Sequence, residues 1–484
     1  MVKNASAEMA AGLECGNGSA RFTVYSPLEL KDVIAELSCG GKVFYSEKAD
    51  ISPVSLLQRT VPVPDREAEG CSVPDGNFQE EKAAREITLR ISRDGREILS
   101  YVYSSEKEAG YDVPEPAEAL PAPEELETTE KLFLAAAHLE QYRHATRSPE
   151  AYYLEGLKRD REDIRLNNGY GKYLYNKGLF AESEKYFRTA VGASTWKNPN
   201  PYDCEPYYNL GLSLKMQGRL EEAYDAFYKA AWDGHQQEGA FYQLACVAAA
   251  KGNPGAALEF VEKSLVKGLH NLKARTLKSA LLRLTGRLEE AEAFAEATLE
   301  IDRLDHGAYY ERYRLAEGGD REERLAQMRA VMREDNHNYI ELALSYSAAG
   351  LDGEAAAVLR LMPRQNEPMA HYHLYRLTGD GEELAKAEEA DSSYCFPNRL
   401  EDMQILAYAA ENGGQHAAYY LGCLLYDRGR WQEARELWEK CAENISLPTV
   451  HRNLSLVYYN KLHDGVRALE EMEKAFAMDE KDAR

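Results

Sequence analysis

"EPYYNLGLSLKMQGRLEEAYDAFYKA", residues 205–230, carries one interruption and two unusually small positions in an otherwise amphipathic helical pattern. Gly218 predicts the end of a first helix, because a residue without Cβ enters the left-handed conformation cheaply. Gly211 and Ala223 predict the point where two antiparallel helices cross closely. Tyr207, Leu210, Leu214 and Phe227, at helical spacing, fill the space around that crossing. Ala230 leaves room for the first helix of a following unit. A leucine at Ala223 should force the pair apart, at about 1–3 kcal/mol for overpacking.

The arrangement recurs. Mid-unit glycines stand at Gly178, Gly218, Gly252, Gly286, Gly350 and Gly429, separated by 40, 34, 34, 64 and 79 residues. The long gaps leave room for a degenerate unit around "HGAYYERYRLAEGGDREERLAQMRAVM" and a shortened one around "MAHYHLYRLTGDGEELAKAEEA". Five residues after each glycine comes a small side chain: Ser183, Ala223, Ala257, Ala291, Ala355 and Ala434. Four later, most units place a larger apolar residue, as Phe187, Phe227, Val261, Leu359 and Trp438. Period and pattern resemble the tetratricopeptide repeat (TPR), a two-helix unit of 34 residues. The resemblance spans residues 127–484, with its clearest units at about 164–192, 204–232, 238–266, 272–300, 336–362, 415–442 and 449–479. The last keeps Ala468 and Ala475 without a turn glycine. "TTEKLFLAAAHLEQYRHATR" and "PEAYYLEGLKRD" are expected to start the array. One such unit cannot bury its apolar face alone, so the units must stack.

The N-terminal region has a different period. Phe22 and Val24 alternate before a Ser-Pro. Gly40-Gly41 separates two apolar stretches, a hairpin signal. In "REITLRISRDGREILSYVY" Ile87, Leu89 and Ile91 point one way, Asp94-Gly95 supplies positive φ values, and Ile98 and Tyr101 lie on the return strand. "VPVPDREAEGCSVPDGNF" reads as a long loop or an edge. The expected fold is therefore mainly α: a TPR α–α superhelix (solenoid) preceded by a small antiparallel β-sandwich. Residues 1–110 form the sandwich, its first ~18 residues disordered. Residues 111–126, with Pro114, Pro116, Pro121 and Pro123 among acidic residues, form a semi-extended linker. Residues 127–484 form the array.

The order of parts carries a second resemblance, to the C-terminal portion of an uncharacterised bacterial family. There a sugar-mutarotase-like β-domain precedes a small β-sandwich, a proline-rich link and a TPR array. The segments that carry it are "SPLELKDVIAELSCGGKVFYSEKADISP", "LPAPEELETTEKLFLAAAHLEQYRHATRSPEAYYLEGLKRD" and "NPNPYDCEPYYNLGL". It implies at most contact with carbohydrate and transfers no catalytic residue. A solenoid normally ends in a polar cap, whereas "AFAMDEKDAR" stops just after a second helix. Unless that helix is polar enough to serve, the chain is expected to be cut from a longer one.

Charge and motifs narrow the function. A formal net charge of −23 over 484 residues repels phosphate backbones and anionic surfaces, so neither nucleic acid nor membrane is an expected partner. The N-terminus lacks a secretory signal. The eight cysteines, Cys15, Cys39, Cys71, Cys204, Cys246, Cys395, Cys423 and Cys441, show no C-x-x-C spacing, so reduced thiols in a cytoplasmic protein are expected. There is no phosphate loop, H-E-x-x-H or G-x-S-x-G. His371 and His373, two apart on a helix, make a poor metal pair. The acidic runs read as solvated helix faces. "NGSA" at 17–20 fits a glycosylation sequon without a secretory context. No catalytic residue, cofactor site or metal site is assigned, and the chain is not expected to be an enzyme.

Tyrosine is the exception: 32 residues against 12 phenylalanines. Aromatic doublets recur in first helices, at Tyr207-Tyr208, Phe241-Tyr242, Tyr309-Tyr310 and Tyr419-Tyr420. In the TPR pattern the first member at Tyr207 and Phe241 is core and the next faces the concave groove. Tyr208, Tyr242 and Tyr419 are assigned to that groove with Arg165, Asn168, Lys172, Tyr175 and Lys215. Such a surface suits a protein or peptide partner, or a carbohydrate, because tyrosine pairs an apolar ring with a polar tip. The plain alternative is that these rings only cover the superhelix. Some TPR proteins clamp a terminal carboxylate with Lys and Asn on successive first helices; of the corresponding positions here, only Asn209 matches. The expected function is a non-catalytic protein-interaction scaffold. The alternative is an accessory region of a carbohydrate-binding or carbohydrate-active protein. On the first reading, alanine at Tyr208 and Tyr242 removes partner binding at little cost to stability.

Overall fold

The computed structural model describes residues 2–16, 18–64, 87–103, 115–116, 118–142, 146–363, 366–392 and 394–479. Asn17 of the sequon, Cys71, most of the expected long loop and much of the expected linker lie outside the described residues. The chain divides into two compact units, residues 1–118 with 292–333, and residues 119–291 with 334–484.

In the first unit, β1 (Asn4–Ala5), β2 (Ala10–Gly16), β3 (Ser19–Tyr25) and β6 (Leu57–Pro62) form one antiparallel sheet in the order β1-β2-β3-β6. The other sheet runs β5-β4-β7-β8, from β4 (Leu30–Cys39), β5 (Lys42–Ile51), β7 (Ile87–Arg93) and β8 (Arg96–Val102). Alternating side chains supply the core: Phe22 and Val24 from one sheet, Leu37, Leu89 and Ile91 from the other. Asp94 and Gly95 turn the β7–β8 hairpin with φ of 51° and 77°, as a tight turn between twisted strands requires. The first 18 residues are not the disordered lead expected. Met9, Ala11 and Leu13 are buried in the core, so β2 is held by its own alternation. The thiols also need a correction. Among the described residues six cysteines are free, but Cys39 is disulfide-bonded, a bond that belongs to oxidising compartments more than to cytoplasm.

Grouped with the sandwich are residues 292–333, the stretch of the degenerate repeat. They hold the end of α10 (Leu288–Ile301), α11 (His306–Leu315) and α12 (Gly318–Met332). Arg324 Nη1 donates to both oxygens of Glu292 at 2.8 Å and to the Arg312 carbonyl at 3.0 Å. Arg333 Nη2 donates to the Pro53 carbonyl of the sandwich at 2.7 Å. The boundary expected at 111–126 thus does not separate all sandwich from all helix.

The second unit is a series of helix pairs. It opens with α1 (Thr129–Tyr142) and α2 (Pro149–Arg159) and continues with α3 (Ile164–Asn176) and α4 (Phe180–Thr195), then α5 (Glu205–Met216) and α6 (Leu220–Ala230). Next come α7 (Gln237–Ala250) with α8 (Pro254–Lys267), and α9 (Leu272–Leu284). Beyond residue 333 lie α13 (Asn336–Ser347) with α14 (Asp352–Leu359), α15 (Pro368–Thr378) with α16 (Gly381–Glu389), and an unpredicted single helix, α17 (Leu400–Glu411). Then follow α18 (Gln415–Asp427) with α19 (Trp431–Cys441), and α20 (Pro448–Asn460) with α21 (Gly465–Met478). All six turn glycines have φ between 69° and 81°. All six small residues after them are fully buried. At Gly211 a Cβ would lie 2.6 Å from Phe227 Cε1, so the ring presses on the bare α-carbon. Gly171 meets Phe187 and Gly422 meets Trp438 in the same way. In the last unit His463 takes the left-handed turn position, φ 55°.

One feature of this unit has no counterpart in the repeat pattern. The C-terminal ends of its early first helices touch the late stretch, and the earliest of them meets the latest partner. Arg430 Nη1 donates to the Lys177 carbonyl at 3.2 Å, and Gln404 Nε2 to the Met216 carbonyl at 2.7 Å. Ala250 lies under Gly350. Arg283 and Glu354, both nearly buried, pair at 3.1 Å. The late stretch is further stitched by histidine–carboxylate pairs: His371–Glu383 at 2.6 Å, His373–Asp402 at 3.2 Å, His416–Glu388 at 3.5 Å and His451–Glu471 at 2.6 Å.

A Cβ at Gly350 would sit 2.7 Å from Ala250 Cα, whereas Gly218 has open space at similar φ. Gly218→Ala should lose about 1–2 kcal/mol for the left-handed backbone. Gly350→Ala should lose a further 1–3 kcal/mol or so for overpacking. Urea unfolding of the two variants measures the difference, and equal losses would mean the two stretches do not press together.

The histidine pairs predict a pH dependence. Burial pushes the carboxyls of Glu383, Glu388, Asp402 and Glu471 upward, but hydrogen bonds, among them those from the paired histidines, hold each below its usual range. Their contribution is present above the unfolded carboxylate pKa and is lost as pH falls through the depressed values. His416 is raised by the Glu388 carboxylate 3.5 Å from its ring, against burial. Its contribution is complete below the ordinary histidine pKa and fades as pH rises through the raised one. Hydrogen-exchange protection of residues 368–478, taken relative to the intrinsic rate at each pH, should rise from pH 3 to 6. His416→Gln should remove the decline on the alkaline side.

Candidate functional site

Three of the expected groove residues come together. The N-terminal turns of α3 place Arg165, Asn168 and Lys172 on one face, three and four residues apart. With Phe133, Ala137 and Glu140 from α1, Tyr153 from α2, and Asp203, Glu205 and Pro206 at the start of α5, they line a cleft of about 270 Å³. Gly169 lets α3 approach: a Cβ there would lie 2.7 Å from Tyr153 Cε1.

Charge in the cleft is largely paired. Lys172 Nζ lies 2.9 Å from Glu205 Oε1, and Arg165 Nη1 lies 3.2 Å from Glu130 Oε1. The Arg165 guanidinium also rests 5.6 Å from the centre of the Phe133 ring. Tyr153 Oη donates to Glu140 Oε2 at 2.7 Å. Burial raises the Glu140 carboxyl above its usual range, against that bond and the nearby Lys172. Asn209 Nδ2 donates to Asn168 Oδ1 at 2.9 Å. Asn168 is only 7% exposed, and among the described residues its own Nδ2 has no hydrogen-bond partner. That amide nitrogen is not among the buried atoms left without a partner, so it opens to the cleft, where a ligand acceptor can reach it.

Tyr208, Lys215 and Tyr242 form a second group on α5 and α7. Tyr208 packs on Phe227 at 5.7 Å, and Lys215 Nζ donates to Gln243 Oε1 at 2.9 Å. Tyr242 does not face an open groove. It is 9% exposed, lies beside Cys246 and Tyr208, and burial pushes its hydroxyl far up. Phe241 keeps the inter-helix role expected of it, stacked on Phe260 of α8 at 6.4 Å, while Tyr242 is the more buried of the two. Tyr310 and Tyr420 are likewise the buried second members of their doublets. Tyr175 packs edge-on against Phe180 at 5.2 Å and lies near Glu401, at the seam between early and late stretches. Tyr419 stands apart on α18, next to Cys423.

Phe133, Glu140 and Tyr153 escaped the sequence reading because α1 and α2 lack the repeat's turn glycine and could not be put in register. Among the described residues no cluster of three or more His, Cys, Asp or Glu could hold a metal, and no helix is long and apolar enough to cross a membrane. Because Tyr242 is core, Tyr242→Ala should cost about 3–5 kcal/mol, contrary to the stability-silent change first expected. Tyr208→Ala should cost less. Thermal melts of the single variants distinguish the two roles.

Residues 4–101 match the family model for the second domain of YphG-like proteins. Among solved structures, the chain is similar to Pseudomonas aeruginosa PilF, at 16% identity and TM-score 0.37, covering 47% of this chain and 96% of that one. It is similar to a tetratricopeptide repeat protein from Parabacteroides merdae, at 15% identity and TM-score 0.37, covering 52% and 99%. A third is YrrB, described as a TPR protein with an unusual peptide-binding site, at 15% identity and TM-score 0.29, covering 49% and 97%. The helical part of the chain is an array of helix pairs with the turn glycines and small buried residues of the tetratricopeptide pattern, and the sandwich lies within the stretch that the YphG-like second-domain model matches.

Proposed function

We propose that this chain is a non-catalytic protein-interaction scaffold whose helical unit holds an extended segment of a partner protein at the Arg165–Asn168–Lys172 cleft. The observation that carries this reading is the cleft itself, in which the Asn168 amide, its oxygen held by Asn209, opens beside Arg165, Lys172 and the Phe133 ring. A peptide carbonyl or a short acidic side chain meets that donor, while an adjacent apolar side chain covers Phe133. The buried histidines, which could otherwise suggest chemistry, are each occupied in joining two helices. The remaining expected groove residues, Tyr208, Lys215, Tyr175 and Tyr419, extend the surface where they remain accessible, and Tyr242 supports it from behind.

The test is a peptide array screened with the full chain, followed by calorimetry on the best binder. Arg165→Glu with Lys172→Glu should weaken binding at least tenfold. Melting should hardly change, because exposed ion pairs contribute little. Amide exchange of residues 133–140 and 164–172 should slow when the peptide is bound. Binding that survives the double variant, with protection elsewhere, would place the ligand outside the cleft and end this reading.

A further inference from the structure

Two of the chain's four tryptophans stand in the open on successive connections of the helical array. Trp196 follows α4 and Trp232 follows α6, and they are 75% and 61% exposed. Tyr202, in the same connection as Trp196, is fully exposed. The chain on either side, residues 146–363, is described throughout and leaves these rings uncovered. Tyr202 and Trp232 help to line a cavity of about 490 Å³. It is distinct from the Arg165 cleft: Asp203 lines that cleft, whereas its neighbours Tyr202 and Cys204 line this cavity.

Hydrogen bonds within the chain fix the cavity walls. Asp233 joins the two connections, its Oδ2 accepting from the Cys204 N–H at 3.1 Å and its Oδ1 from the His235 N–H at 3.0 Å. Lys229 Nζ, in the last turn of α6, donates to Asn200 Oδ1 at 2.6 Å. Asn198 Oδ1 accepts from the Asn200 N–H at 3.0 Å. The amide and carboxylate oxygens of the lining side chains are thus each engaged. Among the described residues, the Nδ2 groups of Asn198 and Asn200, Tyr202 Oη and Trp232 Nε1 make no hydrogen bond. The cavity offers donors and aromatic faces, and few acceptors.

The charges left without a partner are positive. Lys197 and Lys229 rest on the Trp196 and Trp232 rings, 4.4 Å and 4.8 Å from their centres. Neither makes an ion pair among the described residues, although the chain carries a net charge of −23. A fitting ligand brings acceptors, apolar rings and negative charge. A neutral sugar fits poorly, because its hydroxyl protons need acceptors. A proline-rich segment fits well: proline has no N–H, its carbonyls are bare acceptors, and an extended proline run packs on aromatic side chains at little entropic cost. We infer that this cavity binds an acidic, proline-rich segment of a partner protein in the polyproline II conformation, with prolines on Trp232 and Tyr202 and a carboxylate at Lys229.

Polyproline II has about three residues per turn, so an acid at every third position lies along one edge. The experiment uses three fluorescein-labelled twelve-residue peptides: proline with glutamate at every third position, the same with lysine for glutamate, and the same with glycine for proline. Binding to the full chain is followed by anisotropy at physiological salt. The proline–glutamate peptide should bind at least tenfold more tightly than either of the others. Tyr202→Ala with Trp232→Ala should weaken it at least tenfold. Both side chains are exposed, so the fold should survive, as far-ultraviolet circular dichroism checks. Lys229→Ala should narrow the gap between the glutamate and lysine peptides. Arg165→Glu with Lys172→Glu should leave the binding unchanged, which separates this site from the neighbouring cleft. Equal binding of the glycine–glutamate peptide would mean that charge alone is read, and the inference is then wrong. It is equally wrong if the aromatic double variant binds as the parent does, or if oligogalacturonate displaces the peptide, for then any acidic chain fills the cavity.

Discussion

An aromatic ring resting on a bare α-carbon is the contact on which the helical unit depends. At Gly211 and Phe227, Gly171 and Phe187, and Gly422 and Trp438, the missing Cβ lets a large side chain from the second helix reach the axis of the first. The crossing distance of the pair is set there. A side chain on the glycine would either displace the ring or open the crossing, and each neighbouring pair would have to follow. The small residue five positions after the turn glycine makes room on the other side of the same crossing, so both constraints fall on one short stretch of chain.

That concentration explains what could be read in the sequence. Turn glycines, small residues and the aromatic that follows are local and periodic, and the left-handed backbone at Gly178, Gly218 and Gly252 leaves few alternatives. The Asp94-Gly95 hairpin was legible for the same reason. Other features depend on neighbours far along the chain. That Tyr242 is buried depends on how α7 sits against α5, and the doublet itself does not show it. The contacts of Gln404, Arg430 and Arg283 with the early stretch use side chains that carry no periodic signal. Three of the site residues could be grouped from the spacing of α3, but the walls supplied by α1 and α2 could not.

The irregular repeat has a physical reason as well. Residues 306–332 fall in the 64-residue gap between turn glycines that leaves room for a degenerate unit. In the structure their polar side chains are engaged: Arg324 holds Glu292 and the Arg312 carbonyl, and Arg333 reaches the sandwich at Pro53. Sequence that has drifted from the repeat is here committed to contacts the repeat does not supply.

An array whose units touch only their neighbours behaves almost as a one-dimensional chain and can fray from either end. The antiparallel contacts from Lys177 and Arg430 to Arg283 and Glu354 remove that freedom. Losing the α18–α19 pair would unsettle α3, more than 200 residues earlier, so damage at one place spreads to sequence-distant ones. Folding must close those long loops before the contacts stabilise anything, which raises contact order and slows assembly. In exchange, melting should become a single cooperative event.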